Sequence, residues 1–202
     1  MKLFYKPGAC SLATHITLNE IAATFEIESV DTDAGKTSSG LDFRTINPKG
    51  YVPALRLGSG EVLTEGAAIL QNLADNHPQY GLAPKPGSVE RARLQEYLNY
   101  SSSELHKAFT PFFTASATEQ DKEKAAKNVA GKFNYLEALF ADGRAYLLGA
   151  DFSVADAYLF VVCNWSNFVG IDLKAWPSLA AFVERTSQRP SAQAAMKAEG
   201  LI

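Results

Sequence analysis

The stretch that most constrains how this chain folds is the segment 47–55, Asn-Pro-Lys-Gly-Tyr-Val-Pro-Ala-Leu. Its second proline, Pro53, cannot donate a hydrogen bond to a β-ladder, so it belongs at a sheet edge or in a tight turn. The expected geometry is a cis bond between Val52 and Pro53. Such a bend would turn the backbone amide and carbonyl of Val52 outward, where an extended peptide can pair with them as an added strand.

A second short motif follows after a glycine-rich turn. Thr64, Glu65 and Gly66 come directly before an amphipathic pattern and so open a helix. The first backbone N–H groups of a helix have no partner inside it and can bind a carboxylate. Glu65 also has a purely structural interpretation, as an acidic residue interacting with the helix dipole. Together with segment 47–55, the motif predicts a binding surface for a small acidic peptide.

The charge balance and hydropathy exclude several classes of protein. The 202 residues include 22 acidic and 19 basic side chains, a net charge of −3, and the basic residues are scattered. We therefore expect no nucleic-acid surface. No run approaches the ~20 apolar residues of a membrane helix, so we expect no membrane association. The apolar run at residues 1–5 is interrupted at residues 6–8, before the core of a signal peptide could form.

The cysteines and histidines predict neither a disulfide framework nor a metal site. Cys10 and Cys163 are far apart in sequence and have no partner at C-x-x-C spacing. This cysteine usage indicates a reducing cytoplasm. His15 and His77 are not at metal-ligand spacing with any other histidine or cysteine.

The hydrophobic periodicity predicts two domains of different class. The first domain has a strand at residues 3–5, a helix from Ser11, a strand at 25–30, a polar loop at 31–40, a hairpin at 52–63 and a helix at 66–76. A Pro- and Gly-rich linker follows. Beyond it the pattern is helical at residues 88–109, 119–141, 153–169 and 176–189, with a short element at 191–197. The predicted fold class is α/β plus all-α, with domain 1–80, linker 81–87 and domain 88–202.

Cys10 lies directly before the predicted helix that begins at Ser11. The amides and the positive end of a helix dipole stabilise an anion, so this position favours a lowered thiol pKa for Cys10 and for a thiol bound beside it. A single buried cysteine is more often inert packing, and position alone leaves both interpretations open. Cys163 lies among apolar residues and is predicted to be core.

A polar stripe marks the first helix of the second domain. Asn99, Ser102, Ser103 and His106 recur at three- and four-residue spacings, with Lys107 at the edge of the stripe. Because these groups form hydrogen bonds rather than carry charge, the stripe fits a cleft or an interface better than a solvated surface. Without further information, His106 is more simply a half-buried structural histidine.

Three further features of the second domain have mainly structural interpretations. Glu104 points away from the polar stripe by helical geometry. Ser153 and Asp156 have the spacing of a capping box. Several aromatic residues either line an apolar pocket or, as is more common, belong to the core, namely Phe109, Phe112, Phe113, Trp165 and Phe168.

Five segments together resemble one family. They are residues 1–11, 47–55, 63–66, 103–107 and 153–158, with PGACS, NPKGYVPAL and ELHK as their most specific parts. The chain resembles the bacterial beta-class glutathione S-transferases over essentially its whole length. The resemblance implies an N-terminal thioredoxin-like domain with a mixed sheet and a cis-proline, an all-helical C-terminal domain, and a homodimer.

The resemblance also implies a glutathione site. Cys10 would lie beside the glutathione sulfur, Val52 would pair with the cysteinyl backbone, and Glu65 with Gly66 would hold the γ-glutamyl end. From the helical domain, His106 and Lys107 would approach the sulfur and the glycine end. The implied glutathione-binding residues are Tyr5, Cys10, Lys36, Val52, Pro53, Glu65, Gly66, Asn99, Ser103, Glu104, His106 and Lys107. The chain departs from the family at Gly35, where a lysine is common, so Lys36 is the candidate for the glycine carboxylate.

The function implied is conjugation of the glutathione thiolate to small apolar electrophiles in the cytoplasm, as in detoxification, with Cys10 and His106 as catalytic residues. A cysteine at position 10 also predicts glutathione-dependent thiol–disulfide exchange. The alternative is a non-catalytic carrier or protein-interaction module with the same fold, because a fold does not fix a function.

Overall fold

The structure is a computed structural model that describes residues 1–202 and divides them into two compact units. The first unit contains Met1–Ala83 and Gln188–Ile202, and the second contains Pro84–Ser187. The boundary between Ala83 and Pro84 falls inside the predicted linker 81–87. The C-terminal residues belong to the first unit rather than to the expected domain 88–202, because they pack on its first helix.

The regular elements follow the predicted order closely. The strands are β1 Lys2–Tyr5, β2 Glu26–Asp31, β3 Lys36–Thr37, β4 Ala54–Arg56 and β5 Val62–Thr64. The helices are α1 Ser11–Glu20, α2 Gly66–Asn76, α3 Val89–Asn99, α4 His106–Ala108, α5 Glu119–Phe140, α6 Val154–Asn164, α7 Ser166–Val169, α8 Pro177–Ser187 and α9 Pro190–Ala198. Short 3₁₀ turns lie at Phe43–Thr45, Pro78–Tyr80, Thr110–Phe113 and Leu173–Ala175. None of the helices has both the length and the apolar character needed to cross a bilayer.

A five-stranded mixed sheet forms the centre of the first unit, with strand order β3-β2-β1-β4-β5. Strand β1 is parallel to β2 and antiparallel to β4, and the β2–β3 and β4–β5 pairs are antiparallel. Leu3 faces Ile27 on one side and Leu55 on the other, and it is fully buried. The mixed sheet with its helices confirms the predicted thioredoxin-like unit.

Besides the division of the predicted helix 153–169 into α6 and α7, two details of the chain differ from the sequence-based expectation. Residues 31–40, predicted as a polar loop, contain the two-residue strand β3, which pairs with the end of β2 through Val30 and Asp31. The predicted helix 88–109 is interrupted between α3 and α4 by a π-helical segment, Tyr100–Leu105. The π geometry bonds residues five apart instead of four, and hydrophobic spacing does not reveal it.

The second unit is helical and is organised around α6. Ten of the eleven α6 residues are buried, from Val154 to Cys163, so the helix is enclosed on all sides by the unit. The predicted capping box at Ser153 and Asp156 is confirmed at the N-terminus of this helix. An all-helical second unit is therefore confirmed for Pro84–Ser187.

Candidate functional site

Cys10 occupies the N-cap position of α1. Its side chain is partly exposed, and its thiol donates a hydrogen bond to the carbonyl oxygen of Val52 at 3.6 Å. The structure therefore brings together two of the residues selected from the sequence, although they are 42 positions apart in the chain. The N-cap position lies at the positive end of the helix dipole, where an anion is stabilised, although the thiol makes no cap hydrogen bond to the helix amides.

The bend at Pro53 has the predicted geometry, because the Val52–Pro53 bond is cis. The Val52 side chain packs in the core with Phe4 and Phe43, which fixes the residue in place. The β4 ladder begins at Ala54, so the backbone of Val52 lies beyond it. Val52 is therefore a rigid backbone position next to the ladder, as recognition of an extended peptide requires.

Glu65 precedes α2 in an uncommon backbone conformation, with a φ of 67°. A non-glycine residue in this region is strained, and such strain is concentrated at functional sites. The Glu65 carboxylate is exposed and contacts the Lys49 ammonium group, and it accepts a hydrogen bond from the Tyr51 hydroxyl at 2.9 Å. The hydrogen bonds to this carboxylate raise the pKa of both Lys49 and Tyr51. The first N–H groups of α2 lie next to this charge pair and have no side-chain cap.

Sequence reasoning did not select Lys49 and Tyr51, although both lie inside segment 47–55. A fully buried asparagine, Asn47, holds them in place. Its amide nitrogen donates to the Tyr51 carbonyl at 2.6 Å, and its side-chain oxygen accepts from the Lys49 amide at 3.2 Å. The segment is thus a self-braced loop that presents a cation and a phenol to Glu65.

Two other predicted contact residues of the first unit occupy very different surroundings. Lys36 is exposed on β3. The preceding Gly35 has a φ of 68°, a conformation that favours glycine over lysine and gives a physical reason for the departure at this position. Tyr5 is only 8% exposed and has its ring 6.2 Å from that of His15. Burial raises the pKa of its hydroxyl.

In the second unit, His106 is half-buried and lies against two aromatic side chains. Its Nδ1 is 3.2 Å from the hydroxyl oxygen of Tyr158, and its ring meets the Trp165 ring edge-on at 4.7 Å between centroids. Burial, helped by the charge of Lys107, lowers the pKa of His106 to about 4. The imidazole is therefore neutral near pH 7, and it acts there as a hydrogen-bonding group and not as a cation. Tyr158, which sequence reasoning did not select, fixes the orientation of the ring.

The lowered pKa of His106 predicts a pH dependence of stability. Its usual value is 6.5 and its value in the folded protein is about 4, so the unfolded chain binds this proton first as pH falls. Between about pH 8 and pH 5, we expect wild type to lose about 2 kcal/mol more unfolding free energy than His106→Gln. Urea unfolding at a series of pH values measures both losses.

An NMR titration provides the control for this prediction. The His106 imidazole of the folded protein is expected to stay neutral down to about pH 5, whereas the same residue in urea titrates near pH 6.5. Equal pH dependence of stability in wild type and His106→Gln would contradict the prediction.

The predicted polar stripe is exposed for the most part. Asn99, Ser103 and Lys107 lie on the exposed face, and the Ser103 hydroxyl donates to the Asn99 carbonyl at 2.8 Å. Glu104 is also exposed, and its carboxylate pairs with Lys132 of α5. The charge of Glu104 is thus already compensated within the second unit.

The aromatic residues divide between core and surface. Phe109 is fully buried and Trp165 is 6% exposed, whereas Phe113 and Phe168 are 57% and 62% exposed. The Phe113 ring lies 5.3 Å from Trp165, the ring that also contacts His106. The exposed ring of this cluster is that of Phe113, which packs on the buried Trp165 next to the neutral imidazole of His106. Cys163 is core, as predicted, and burial raises the pKa of its thiol.

An open cleft of about 620 Å³ lies on another side of the same helical segment. Its lining is mixed. It includes polar side chains such as Lys107, Thr110 and Lys124 beside Ala108 and Pro111, but not His106. The neighbouring residues His106 and Lys107 thus face different surroundings, because consecutive residues of a helix point in different directions. The chain contains no group of three or more His, Cys, Asp or Glu side chains that is arranged to hold a metal ion.

Comparisons with known proteins match both units of the chain. Residues 8–76 match the family description "Glutathione S-transferase, N-terminal domain", and residues 100–190 match "Glutathione S-transferase, C-terminal domain". Glutathione S-transferase GstA of Escherichia coli O157:H7 is 44% identical over the full length of both chains. Two solved structures cover both chains completely. They are a bacterial beta-class glutathione S-transferase of Sphingomonas chungbukensis, 48% identical with a TM-score of 0.97, and a sphingomonad glutathione S-transferase complexed with glutathione, 50% identical with a TM-score of 0.95.

Proposed function

Because the chain belongs to the glutathione S-transferase family, we propose that it conjugates the thiolate of glutathione to small apolar electrophiles. The arrangement in the first unit carries this proposal. Cys10 at the start of α1, the Val52 backbone beside a cis-proline and the Glu65 carboxylate at the start of α2 present three kinds of group to one extended peptide. Glutathione, an acidic tripeptide with a zwitterionic end, has groups complementary to all three.

Glutathione is held by its backbone and by its charged ends. Its cysteinyl backbone pairs with Val52, next to Pro53, which directs its sulfur toward the N-terminus of α1 and Cys10. The ammonium of its γ-glutamyl end pairs with Glu65, and the neighbouring carboxylate binds the N–H groups of α2 at Gly66. Lys36 is exposed and available for the glycine carboxylate. Tyr5 supports the site from within the unit. Asn99, Ser103, Glu104 and Lys107 supply further polar contacts.

Stabilising the bound thiolate is the chemical task of the site. Lowering the pKa of a thiol by about two units corresponds to roughly 2.7 kcal/mol, a size within reach of a helix N-terminus and one hydrogen-bond donor. We assign the donor role to His106, whose imidazole is neutral near pH 7 and oriented by Tyr158. The aromatic surface around Trp165 and Phe113 provides apolar contacts for the electrophile.

Cys10 adds thiol–disulfide exchange as a second activity. Its thiolate attacks the glutathione sulfur of a mixed disulfide, forms a Cys10–glutathione disulfide and releases the other thiol. A second glutathione thiolate then attacks this disulfide, yielding oxidised glutathione and regenerating the Cys10 thiolate. No outside oxidant is needed, because the mixed disulfide is the species reduced.

Neither cysteine of the chain is in a disulfide, which suits a reducing cytoplasm. We further propose that the protein works as a homodimer, which light scattering will show.

Glutathione binding with a Glu65 variant tests the proposed site. We expect Glu65→Gln to weaken glutathione binding by about 30-fold, since a neutral amide loses the charge-assisted contact with the ammonium group. Calorimetric titration measures the affinity, and conjugation of a chloro-nitroaromatic measures turnover. The expected kinetic result is a raised KM for glutathione with a smaller change in kcat.

The matched control is Glu61→Gln, an exposed glutamate in the turn between β4 and β5 that we expect to leave the affinity unchanged. If Glu65→Gln binds glutathione as tightly as wild type, the assignment of the γ-glutamyl end is wrong. If wild type neither binds glutathione nor conjugates the aromatic substrate, the protein is a carrier or interaction module with this fold.

A further inference from the structure

The carboxylate of Glu199, just beyond the end of α9, is completely buried in the first unit. Its Oε2 accepts a hydrogen bond from the backbone N–H of Gly8 at 2.9 Å, and its Oε1 lies 2.9 Å from Nδ1 of His15. Gly8 comes two residues before Cys10, and His15 lies on the helix that Cys10 begins. One buried acidic side chain thus connects the C-terminal segment to both sides of the Cys10 position.

Polar contacts at the other end of α9 hold this segment on α1. Arg189 donates to both carboxylate oxygens of Glu20, at 2.7 and 2.9 Å, and the Ser191 hydroxyl also contacts Glu20. The Asn19 amide donates to the Ser191 carbonyl at 3.1 Å. Since α9 is anchored at its N-terminus by these contacts, the reach of Glu199 to Gly8 is fixed by the helix and not by a flexible tail.

Because the Glu199 carboxylate is buried, its contacts with Gly8 and His15 are needed to stabilise it. A buried carboxylate is costly unless it is paired and hydrogen-bonded. His15 is 3% exposed, and its ring packs edge-on against Phe25 at 5.5 Å, with Tyr5 on another side at 6.2 Å. The titratable groups facing Glu199 are therefore His15 and Tyr5. The negative charge of Glu199 contributes, after burial, to the raised pKa of Tyr5.

The loop before Cys10 is short and closed, so a shift at Gly8 must move Cys10. The Ala9 amide donates to the Lys6 carbonyl at 3.0 Å, and the Ser11 hydroxyl lies 3.3 Å from the same carbonyl oxygen. Gly8 has a φ of 70°, and the Leu201 side chain lies 3.4 Å from where a Cβ at Gly8 would be. The C-terminal segment therefore covers Gly8 with an apolar side chain and holds its amide with a carboxylate.

We propose that Glu199 and His15 form a buried pair that positions the Gly8–Cys10 loop, and through it the Cys10 sulfur. Both are positioning residues, since neither touches the reacting sulfur. The importance of Cys10 in this inference rests on the proposed function. The contacts of Glu199 and His15, by contrast, are those of the protein without any ligand. Through this pair, the C-terminus of the chain has a role in the glutathione site.

Alkylation of Cys10 in the ligand-free protein tests the pair without turnover. In Glu199→Ala the Gly8 amide loses its acceptor, and we expect the rate of Cys10 alkylation by iodoacetamide to change by about tenfold at pH 7, with a shifted pH profile. In Glu199→Gln the amide can still accept from Gly8 and donate to His15, so this variant should stay within about twofold of wild type. Mass spectrometry assigns the adduct to Cys10, since Cys163 is fully buried.

The matched control is Lys197→Gln, which changes an exposed side chain of the same helix and leaves the anchor of α9, Glu199 and Gly8 intact. A positioning role predicts that alkylation of Cys10 follows the Glu199 variants and not this control. An unchanged alkylation rate and pH profile in Glu199→Ala would overturn the proposal, as would an equal change in Lys197→Gln. If Glu199→Ala does not fold, Glu199→Asp replaces it, because the shorter side chain cannot reach both Gly8 and His15. Equal rates of Cys10 alkylation in Glu199→Asp and Glu199→Gln would refute the positioning role. Glutathione affinity, measured separately, shows whether the proposed function itself has failed.

Discussion

Replacement of Cys10 by alanine is expected to abolish glutathione-dependent thiol–disulfide exchange, with a loss of at least about 1,000-fold. Exchange requires the attacking sulfur itself, so no neighbouring group replaces it. Conjugation of a chloro-nitroaromatic should fall much less, by about tenfold or less, because the proposed mechanism leaves stabilisation of the glutathione thiolate to the α1 N-terminus and His106. Parallel assays of disulfide reduction and aromatic conjugation separate the two roles.

Intact-mass analysis provides the chemical evidence for this role of Cys10. Wild type incubated with oxidised glutathione should gain one glutathione, which dithiothreitol removes, and Cys10→Ala should gain none. The matched control is Cys163→Ala, because the Cys163 thiol is fully buried. No adduct on wild type would remove the covalent route. Equal loss of both activities in Cys10→Ala would instead assign Cys10 to thiolate stabilisation in general.

Asp156→Ala is expected to lower the free energy of unfolding by about 3–5 kcal/mol. Asp156 is fully buried at the start of α6, the most enclosed helix of the second unit. Its carboxylate accepts hydrogen bonds from the Leu147 amide at 2.7 Å, the Ser153 amide at 2.8 Å and the Ser153 hydroxyl at 2.6 Å. Alanine would leave two buried amides without an acceptor and would remove the cap of the helix.

Urea unfolding at neutral pH measures this loss of stability. The control is Asp172→Ala, an exposed aspartate whose carboxylate accepts from the Lys174 amide at 3.0 Å in a 3₁₀ turn. This control should cost less than about 1 kcal/mol, because water satisfies the exposed amide. If the two alanine variants lose equal stability, burial of the Asp156 contacts is not what stabilises α6.

Several features of the fold and of the candidate site are predictable because they depend on residues close together in sequence. The cis bond before Pro53, the helix start after Glu65 and the capping box of Ser153 and Asp156 are each confirmed. In each case a backbone constraint or a side chain acts on amides within four residues. The strand β3 escaped prediction because two residues give no periodic pattern, and it forms only by pairing with β2.

The partners of the functional side chains are less predictable. Glu65 contacts Lys49, 16 residues away, and His106 meets Tyr158, 52 residues away. Each contact needs the fold to bring two distant segments together, and many polar residues could have filled the same role. The π-helical segment before His106 likewise depends on packing, since its sequence is compatible with an ordinary helix.

By itself, the sequence determined the two classes of structure, the bend at Pro53, the placement of Cys10 before a helix and the resemblance to a family. Only the tertiary structure decided that the C-terminal segment returns to the first unit, where Glu199 reaches Gly8 across 191 positions of the chain. The physical reason is the range of the forces involved. Turn, cap and periodicity signals act over a few residues, whereas the pairing of a buried charge depends on which distant groups the folded core encloses with it.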